Sequence, residues 1–166
     1  MTAEANRALI LRLFEETARG DLAVIDELVR PAAIFHSWAF PDARLAPAVG
    51  PGGQRDRLAM FRAAFPDSAF TLGHLGARAD FVVLHWTACG THRGTLLGVP
   101  PTGKRITRRG TAIYCLVDGR VAEEWGYFDL RGLLRQLGAD AASWQGEVAA
   151  QAGAELQGET NVKREA

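Results

Sequence analysis

The dipeptide Asp118-Gly119 separates two long runs of strand-forming residues in the second half of this 166-residue chain. Asp-Gly between apolar runs is typical of the tight turn of a β-hairpin. It predicts a pair of antiparallel strands over residues 105–117 and 120–128. Residues 69–77 and 81–93 predict two more strands before this hairpin. We therefore expect the second half of the chain to fold as an antiparallel meander.

The first third of the chain shows helical periodicity instead. Apolar residues recur at helical spacing over residues 3–19 and 22–29, with Gly20 and Asp21 between them as cap and turn. Pro31 is expected to end the second helix. Three further elements are predicted before the meander: a strand over residues 32–40, a loop over 41–53 and a third helix over 54–65.

Helices followed by a meander of long strands indicate an α+β fold. Residues 130–137, just before Gly138, predict a short C-terminal helix. We expect a cone-shaped barrel in which a curved antiparallel sheet wraps around three N-terminal helices and leaves a cavity. This domain is predicted to span residues 1–138. Residues 139–166, rich in Ala, Gln, Gly and Glu, predict an extension that is a loose helix or disordered.

The composition excludes several classes of partner. Nineteen Lys and Arg balance nineteen Asp and Glu, so the charge does not indicate a nucleic-acid-binding surface. No apolar run reaches the roughly 18 residues that a membrane span needs. Cys89 and Cys115 lie in strand patterns, which predicts buried, reduced thiols in a cytoplasmic protein. The sequence holds no closely spaced Cys and His residues of the kind that bind zinc.

Residues 98–104, GVPPTGK, fit the spacing of a phosphate-binding loop, but the chemistry does not fit. Arg105 stands where a Ser or Thr would hold magnesium. The two prolines remove amide donors from the loop, and the following residues read as a strand rather than a helix. The segment therefore predicts a stiff turn between two long strands.

Asp129 lies between the last predicted strand and the C-terminal helix, among aromatic neighbours. Counting by twos along the strand puts five residues on one face: Val121, Glu123, Trp125, Tyr127 and Asp129. If that face lines the cavity, the carboxylate loses part of its water and becomes a useful base near neutral pH. The alternative is a helix N-cap, which the residues alone favour.

Two histidines and several aromatic residues are further candidates for the site. His36 and His92 lie near strand ends, where we expect the mouth of the cavity, although a lone histidine in a strand is more often structural. Aromatic walls suit a flat polycyclic ligand. The aromatic residues predicted to bind such a ligand are Trp38, Phe61, Trp86, Tyr114, Trp125 and Tyr127.

Several segments, taken in order, resemble the SnoaL-like polyketide cyclase family of the nuclear transport factor 2-like superfamily. They are NRALILRLFEE, FRAAFPD, HWTACGTHRG, LLGVPPTGKRIT and VDGRVAEEWGYFDLRGLLRQLG, within residues 6–138. The resemblance implies cofactor-free ring closure of a polyketide by an intramolecular aldol reaction. It also implies that Asp129 is the general acid/base and that the protein is a homodimer or homotetramer binding a hydrophobic small molecule.

The sequence departs from the family pattern at two positions. Phe35 stands where an acidic residue commonly precedes the first-strand histidine, and Glu124 stands where a histidine is usual. Two alternatives therefore remain open. One is an epoxide hydrolase or ketosteroid-isomerase-like enzyme on the same fold, and the other is a non-catalytic small-molecule-binding protein. His36, His92 or Tyr114 would hydrogen-bond an enolate oxygen in the cyclase interpretation.

Overall fold

A computed structural model describes residues 2–37 and 47–139 and confirms the predicted α+β class. The elements in chain order are α1 (Ala3–Arg19), α2 (Ala23–Leu28), β1 (Val29–Ser37), β2 (Ala48–Val49), α3 (Gly50–Ala64), β3 (Ala69–Arg78), β4 (Phe81–Thr91), β5 (Arg105–Val117), β6 (Arg120–Phe128) and α4 (Leu130–Leu137).

The six strands form one sheet in the order β2-β1-β6-β5-β4-β3. Strands β3 to β6 form the predicted antiparallel meander. β1 pairs with β6 in parallel, so the sheet is mixed rather than antiparallel throughout. Three strands of the meander, β3 to β5, lie between β1 and β6 in the chain, so no hairpin turn forces β1 and β6 to run in opposite directions. The described strands do not close into a barrel, because β2 and β3 remain at opposite edges.

Two proline-containing boundaries differ from the sequence prediction. α3 begins at Gly50 instead of residue 54, with Pro51 at its start, where the missing N–H of proline costs nothing. Pro31 does not end α2 but lies inside β1. The pairing of β1 with β6 is interrupted between Val29 and Ile34, so the ladder needs no N–H donor from Pro31.

Two apolar clusters hold these elements together. The first packs α1 and α2 on the sheet and includes Ile10, Leu13, Ile25, Phe35 and Leu84. The second packs α4 near the end of α3 and includes Ala64, Phe65, Leu96, Leu133 and Leu137. Leu13 and Leu84 from the first cluster, and Phe61 packed on the second, also line the pocket described below.

Other sequence expectations have mixed outcomes. Cys89 and Cys115 are free thiols but only half-buried, because both lie on strands whose outer side meets solvent. No helix within residues 2–37 and 47–139 is long and apolar enough to cross a membrane. Apart from Ala139, the predicted extension at 139–166 lies outside the described residues, as do the last residues of the predicted strand 32–40.

Candidate functional site: a pocket between the helices and the sheet

A pocket lies between α1, α3 and the inner face of strands β3 to β6. Its empty volume is about 1040 Å³, which includes solvent at its mouth. The walls are mainly apolar and aromatic, with Leu13, Phe14, Leu58, Phe61, Phe70, Leu84, Trp86, Tyr127 and Phe128 among the lining residues.

A bulge in β6 decides which of its side chains face the pocket. Leu116 pairs with Val121, but Cys115 pairs with Glu123, so β6 contains one extra residue at Ala122. An extra residue reverses the alternation of faces from that point on. Counting by twos from Val121 therefore assigns Glu123 and Trp125 to the wrong face. The β6 residues that line the pocket are Glu124, Gly126, Tyr127 and Phe128.

Glu124 is the carboxylate of this pocket. Its side chain is only 5% exposed and forms an ion pair with Arg57 of α3. Both carboxylate oxygens lie 2.8 Å from Nη2 of Arg57, and Gln54 Nε2 lies 3.5 Å from Oε2. Gln54, Arg57, Leu58 and Phe61 follow the spacing of one helical face, which is why all four line the pocket. The pair thus joins α3 to the sheet.

Tyr114 faces Glu124 across the β5–β6 ladder. Burial raises the pKa of Tyr114 well above its usual value, the negative charge of Glu124 raises it further, and Arg57 opposes both. The phenol is therefore protonated at neutral pH and is a hydrogen-bond donor. Burial alone would lower the pKa of Arg57, but its ion pair with Glu124 more than compensates, so that pKa is raised. A carboxylate, a phenol and a cation thus lie together in the pocket.

A second buried cation, Arg108, lines the pocket from β5. Its guanidinium carbon lies 4.4 Å from the ring centre of Phe61 and 5.5 Å from those of Phe70 and Trp86. Burial lowers the pKa of Arg108 to about 10, so the side chain stays charged at neutral pH.

Asp129 caps α4 and its carboxylate is not part of the pocket lining. Its Oδ1 accepts a hydrogen bond of 2.8 Å from the backbone N–H of Gly132. Its side chain is 71% exposed, and Arg135 lies 3.9 Å away on the surface. The structure thus confirms the N-cap, and the catalytic role of Asp129 stays a prediction.

The two predicted histidines lie away from the pocket lining. His36 is on the opposite face of the sheet, where its Nε2 lies 2.7 Å from Glu123 Oε1 and its ring stacks on Trp125. His92 is fully buried beside Phe65, and its Nδ1 lies 3.2 Å from the backbone N of Thr102. Burial lowers the pKa of His92, which favours the neutral ring.

The predicted aromatic residues are divided between two faces. Phe61, Trp86, Tyr114 and Tyr127 line the pocket. Trp125 lies with His36 on the opposite face because of the bulge in β6. Trp38 lies outside the described residues. In the part of the chain that the structure describes, no three His, Cys, Asp or Glu residues come close enough to hold a metal ion.

Sequence reasoning missed most of the polar residues of the pocket. The sequence pattern could have predicted Gln54 and Arg57, since they precede Leu58 and Phe61 at the spacing of one helical face. Glu124 was noticed only as a departure from the family pattern. Arg108 had no signal, because an arginine in an alternating strand usually points to solvent.

Comparison with known proteins agrees with this fold. The model of the SnoaL-like polyketide cyclase family matches residues 8–137. The chain is 30% identical to nogalonic acid methyl ester cyclase of Streptomyces nogalater over 54% of this chain and 67% of that one. It is 27% identical to aklanonic acid methyl ester cyclase DauD of Streptomyces sp. (strain C5) over 69% of this chain and 67% of that one.

A solved structure shows the same fold. TsrD from Streptomyces laurentii superposes with a TM-score of 0.72 at 27% identity, covering 84% of this chain and 99% of that one. Because the family model spans most of the chain, and relatives named as cyclases match it, an enzyme is supported over a binding protein. The chain belongs to the SnoaL-like polyketide cyclase family.

Proposed function

We propose that the protein is a cofactor-independent cyclase that closes a ring of a polyketide, or a related polycyclic carbonyl compound, by an intramolecular aldol reaction. The observation that carries this proposal is the buried Glu124 facing Tyr114 in an aromatic pocket. The two relatives named as cyclases of acid methyl esters, and the polyketide cyclase family to which the chain belongs, support the same substrate class.

The reaction needs one base, one proton donor and exclusion of water. A carbon between two carbonyls is acidic enough for a single carboxylate to remove its proton without a metal. Glu124 takes this proton, and the phenol of Tyr114 donates a hydrogen bond to the enolate oxygen. The enolate carbon then forms the new carbon–carbon bond with a second carbonyl, whose oxygen receives the proton back from Glu124. The aromatic walls hold the two carbons in contact.

Asp129 is the competing candidate for the acid/base. The family resemblance supports it, but its carboxylate would have to leave the cap of α4 and turn inward. Glu124 needs no rearrangement, since it already lines the pocket. We therefore propose Glu124 as the base and retain Asp129 as the alternative that experiment must exclude.

Two matched substitutions separate these candidates. Glu124→Gln and Asp129→Asn each replace one carboxylate by its amide, and asparagine keeps the N-cap of α4. Ring closure of nogalonic and aklanonic acid methyl esters is followed by absorbance and mass spectrometry under single-turnover conditions. We expect Glu124→Gln to slow closure by about 100-fold or more, the usual contribution of a general base. Asp129→Asn should stay within a few-fold of the wild type.

Other outcomes have definite meanings. Loss of activity in Asp129→Asn with activity kept in Glu124→Gln would move the acid/base to Asp129. A wild-type protein that binds the esters without closing a ring would support a non-catalytic binding protein. Folding of each variant is checked by circular dichroism, because Glu124 also contributes to stability.

The homodimer or homotetramer expected from the family also remains a proposal. Its support is the exposed apolar surface on the sheet face opposite the pocket, where Phe81 is 50%, Val83 43% and Val117 43% exposed. Sedimentation velocity tests it. A wild-type dimer that dissociates in Phe81→Lys is the expected result, and a wild-type monomer would contradict it.

A further inference from the structure

Arg108 is a buried cation that has no charged partner among the residues that the structure describes. The residue is 7% exposed, and its buried Nε has no hydrogen-bond partner within residues 2–37 and 47–139. Among residues 2–37 and 47–139, no carboxylate forms an ion pair with it. The other cation that lines the pocket, Arg57, is paired with Glu124. A charge removed from water without a partner is unfavourable, so the position calls for an explanation.

Aromatic rings surround Arg108 but do not satisfy it. Phe61, Phe65, Phe70 and Trp86 lie with ring centres 4.4 to 5.7 Å from its guanidinium carbon. Ring faces attract a cation, but they are poor acceptors for its five directed N–H donors. Since Arg108 lines the pocket, a ligand bound there would contact its side chain. A planar anion with two oxygens matches the fork of a guanidinium best.

The backbone positions of Arg108 and Tyr114 are well separated along β5. It is six residues from Tyr114 on β5, which corresponds to about 20 Å along an extended strand. Small residues, Gly126 and Ala112, line the pocket between these positions. Apolar lining residues thus separate Arg108 from Tyr114 along β5, which suits a fused-ring molecule that lies along the strand.

We infer that Arg108 binds an anionic oxygen group, a carboxylate or an ionised phenol or enol, on the end of the substrate opposite the carbons that react. The inference rests on the proposed function, because it takes this pocket to be the substrate site. It goes further by defining the substrate as a polycyclic anion, whereas the methyl esters in the relatives' names carry a neutral ester.

Three anthraquinone probes test the inference without knowledge of the natural substrate. They are anthraquinone-2-carboxylate, its neutral methyl ester, and 2-hydroxyanthraquinone at mildly alkaline pH, where the phenol is ionised. Binding is measured by isothermal titration calorimetry. We expect the wild-type protein to bind at least one anionic probe roughly 10- to 100-fold more tightly than the ester, the range for a charge-assisted hydrogen bond in a buried site. Which anion binds more tightly distinguishes a carboxylate from a phenolate or enolate.

Substitutions then test whether Arg108 causes the preference for the anionic probes. Arg108→Gln should remove the preference for the anion and leave the affinity for the ester within about threefold, while Arg108→Lys should keep part of it. Arg109→Gln is the matched control, because Arg109 is the next residue on β5 and is exposed. It should keep the full preference.

The possible results separate this inference from the proposed function. Equal affinity of the wild type for the ester and both anions would overturn the anion site alone, and this comparison requires no variant to fold. A preference that survives in Arg108→Gln would also overturn it. Failure of every probe to bind would overturn the anion site together with the use of the pocket, whereas loss of ring closure with anion binding intact would overturn only the proposed reaction.

Discussion

The ion pair between Glu124 and Arg57 predicts a large and specific loss of stability when its charge is removed. Both oxygens of Glu124 lie 2.8 Å from Arg57 Nη2. The two side chains are only 5% and 20% exposed. Glu124→Gln keeps the shape of the side chain but leaves the guanidinium of Arg57 buried without a countercharge.

Breaking a buried ion pair by removing one partner lowers the free energy of unfolding by about 3–5 kcal/mol. For Glu124→Gln we expect a loss at the lower end of this range, about 3 kcal/mol, because the glutamine oxygen still accepts one hydrogen bond from Arg57. For a domain of this size, that corresponds to a fall in Tm of roughly 6–12 °C. Removing both charges, in Arg57→Met with Glu124→Gln, should recover most of the loss because no unpaired charge remains.

Urea unfolding of the wild type, the two single variants and the double variant measures this coupling. The matched control is Arg55→Gln, which breaks a pair of similar length, 2.7 Å to Asp26, on the surface. Its urea midpoint should hardly change, because water and salt screen an exposed pair. The reasoning is refuted if Glu124→Gln lies within about 1 kcal/mol of the wild type, or if the double variant loses the sum of both single losses.

Three further predictions use the same unfolding assay. The pKa of Tyr114 is raised in the folded state, so the unfolded chain ionises first and the wild type should lose stability as pH rises above about 10. Tyr114→Phe should lose this component, and an unchanged alkaline slope would contradict it. Arg108 carries its charge at neutral pH without an ion-pair partner in the described part of the chain, so Arg108→Met should raise the free energy of unfolding by about 1 kcal/mol. A fall in the free energy of unfolding would indicate a structural role of Arg108 instead. Asp129→Ala removes the side-chain hydrogen bond to the N–H of Gly132 and should lower the free energy of unfolding by about 1 kcal/mol. Asp129→Asn keeps a capping oxygen and should leave the free energy of unfolding nearly unchanged. Equal stability of the two variants would show that this cap does not contribute.

Local signals in the sequence predicted the C-terminal half of the fold well. The Asp118-Gly119 turn lies between β5 and β6 as predicted, and the predicted bounds of both strands agree with the structure. The predicted bounds of α4 also match, because its two capping residues, Asp129 and Gly138, directly flank the helix. In each case the residues that set the end of a strand or helix are adjacent to it in the chain.

Features that depend on distant segments were not predictable in this way. The parallel pairing of β1 with β6 joins segments about 90 residues apart, His36 with Trp125 for example. The bulge at Ala122 leaves no mark in a count of alternating residues, yet it moves Trp125 out of the pocket and Glu124 into it. The burial of Arg108 likewise depends on rings from α3, β3 and β4 that surround it only in the folded chain.

The most direct test of the account is the single-turnover ring closure of a polyketide ester by the wild type, Glu124→Gln and Asp129→Asn, each at a temperature where it is fully folded. The account predicts closure by the wild type, a rate reduced by about 100-fold or more in Glu124→Gln, and a near-normal rate in Asp129→Asn. A near-normal rate in Glu124→Gln would contradict the assignment of Glu124 as the base of the pocket.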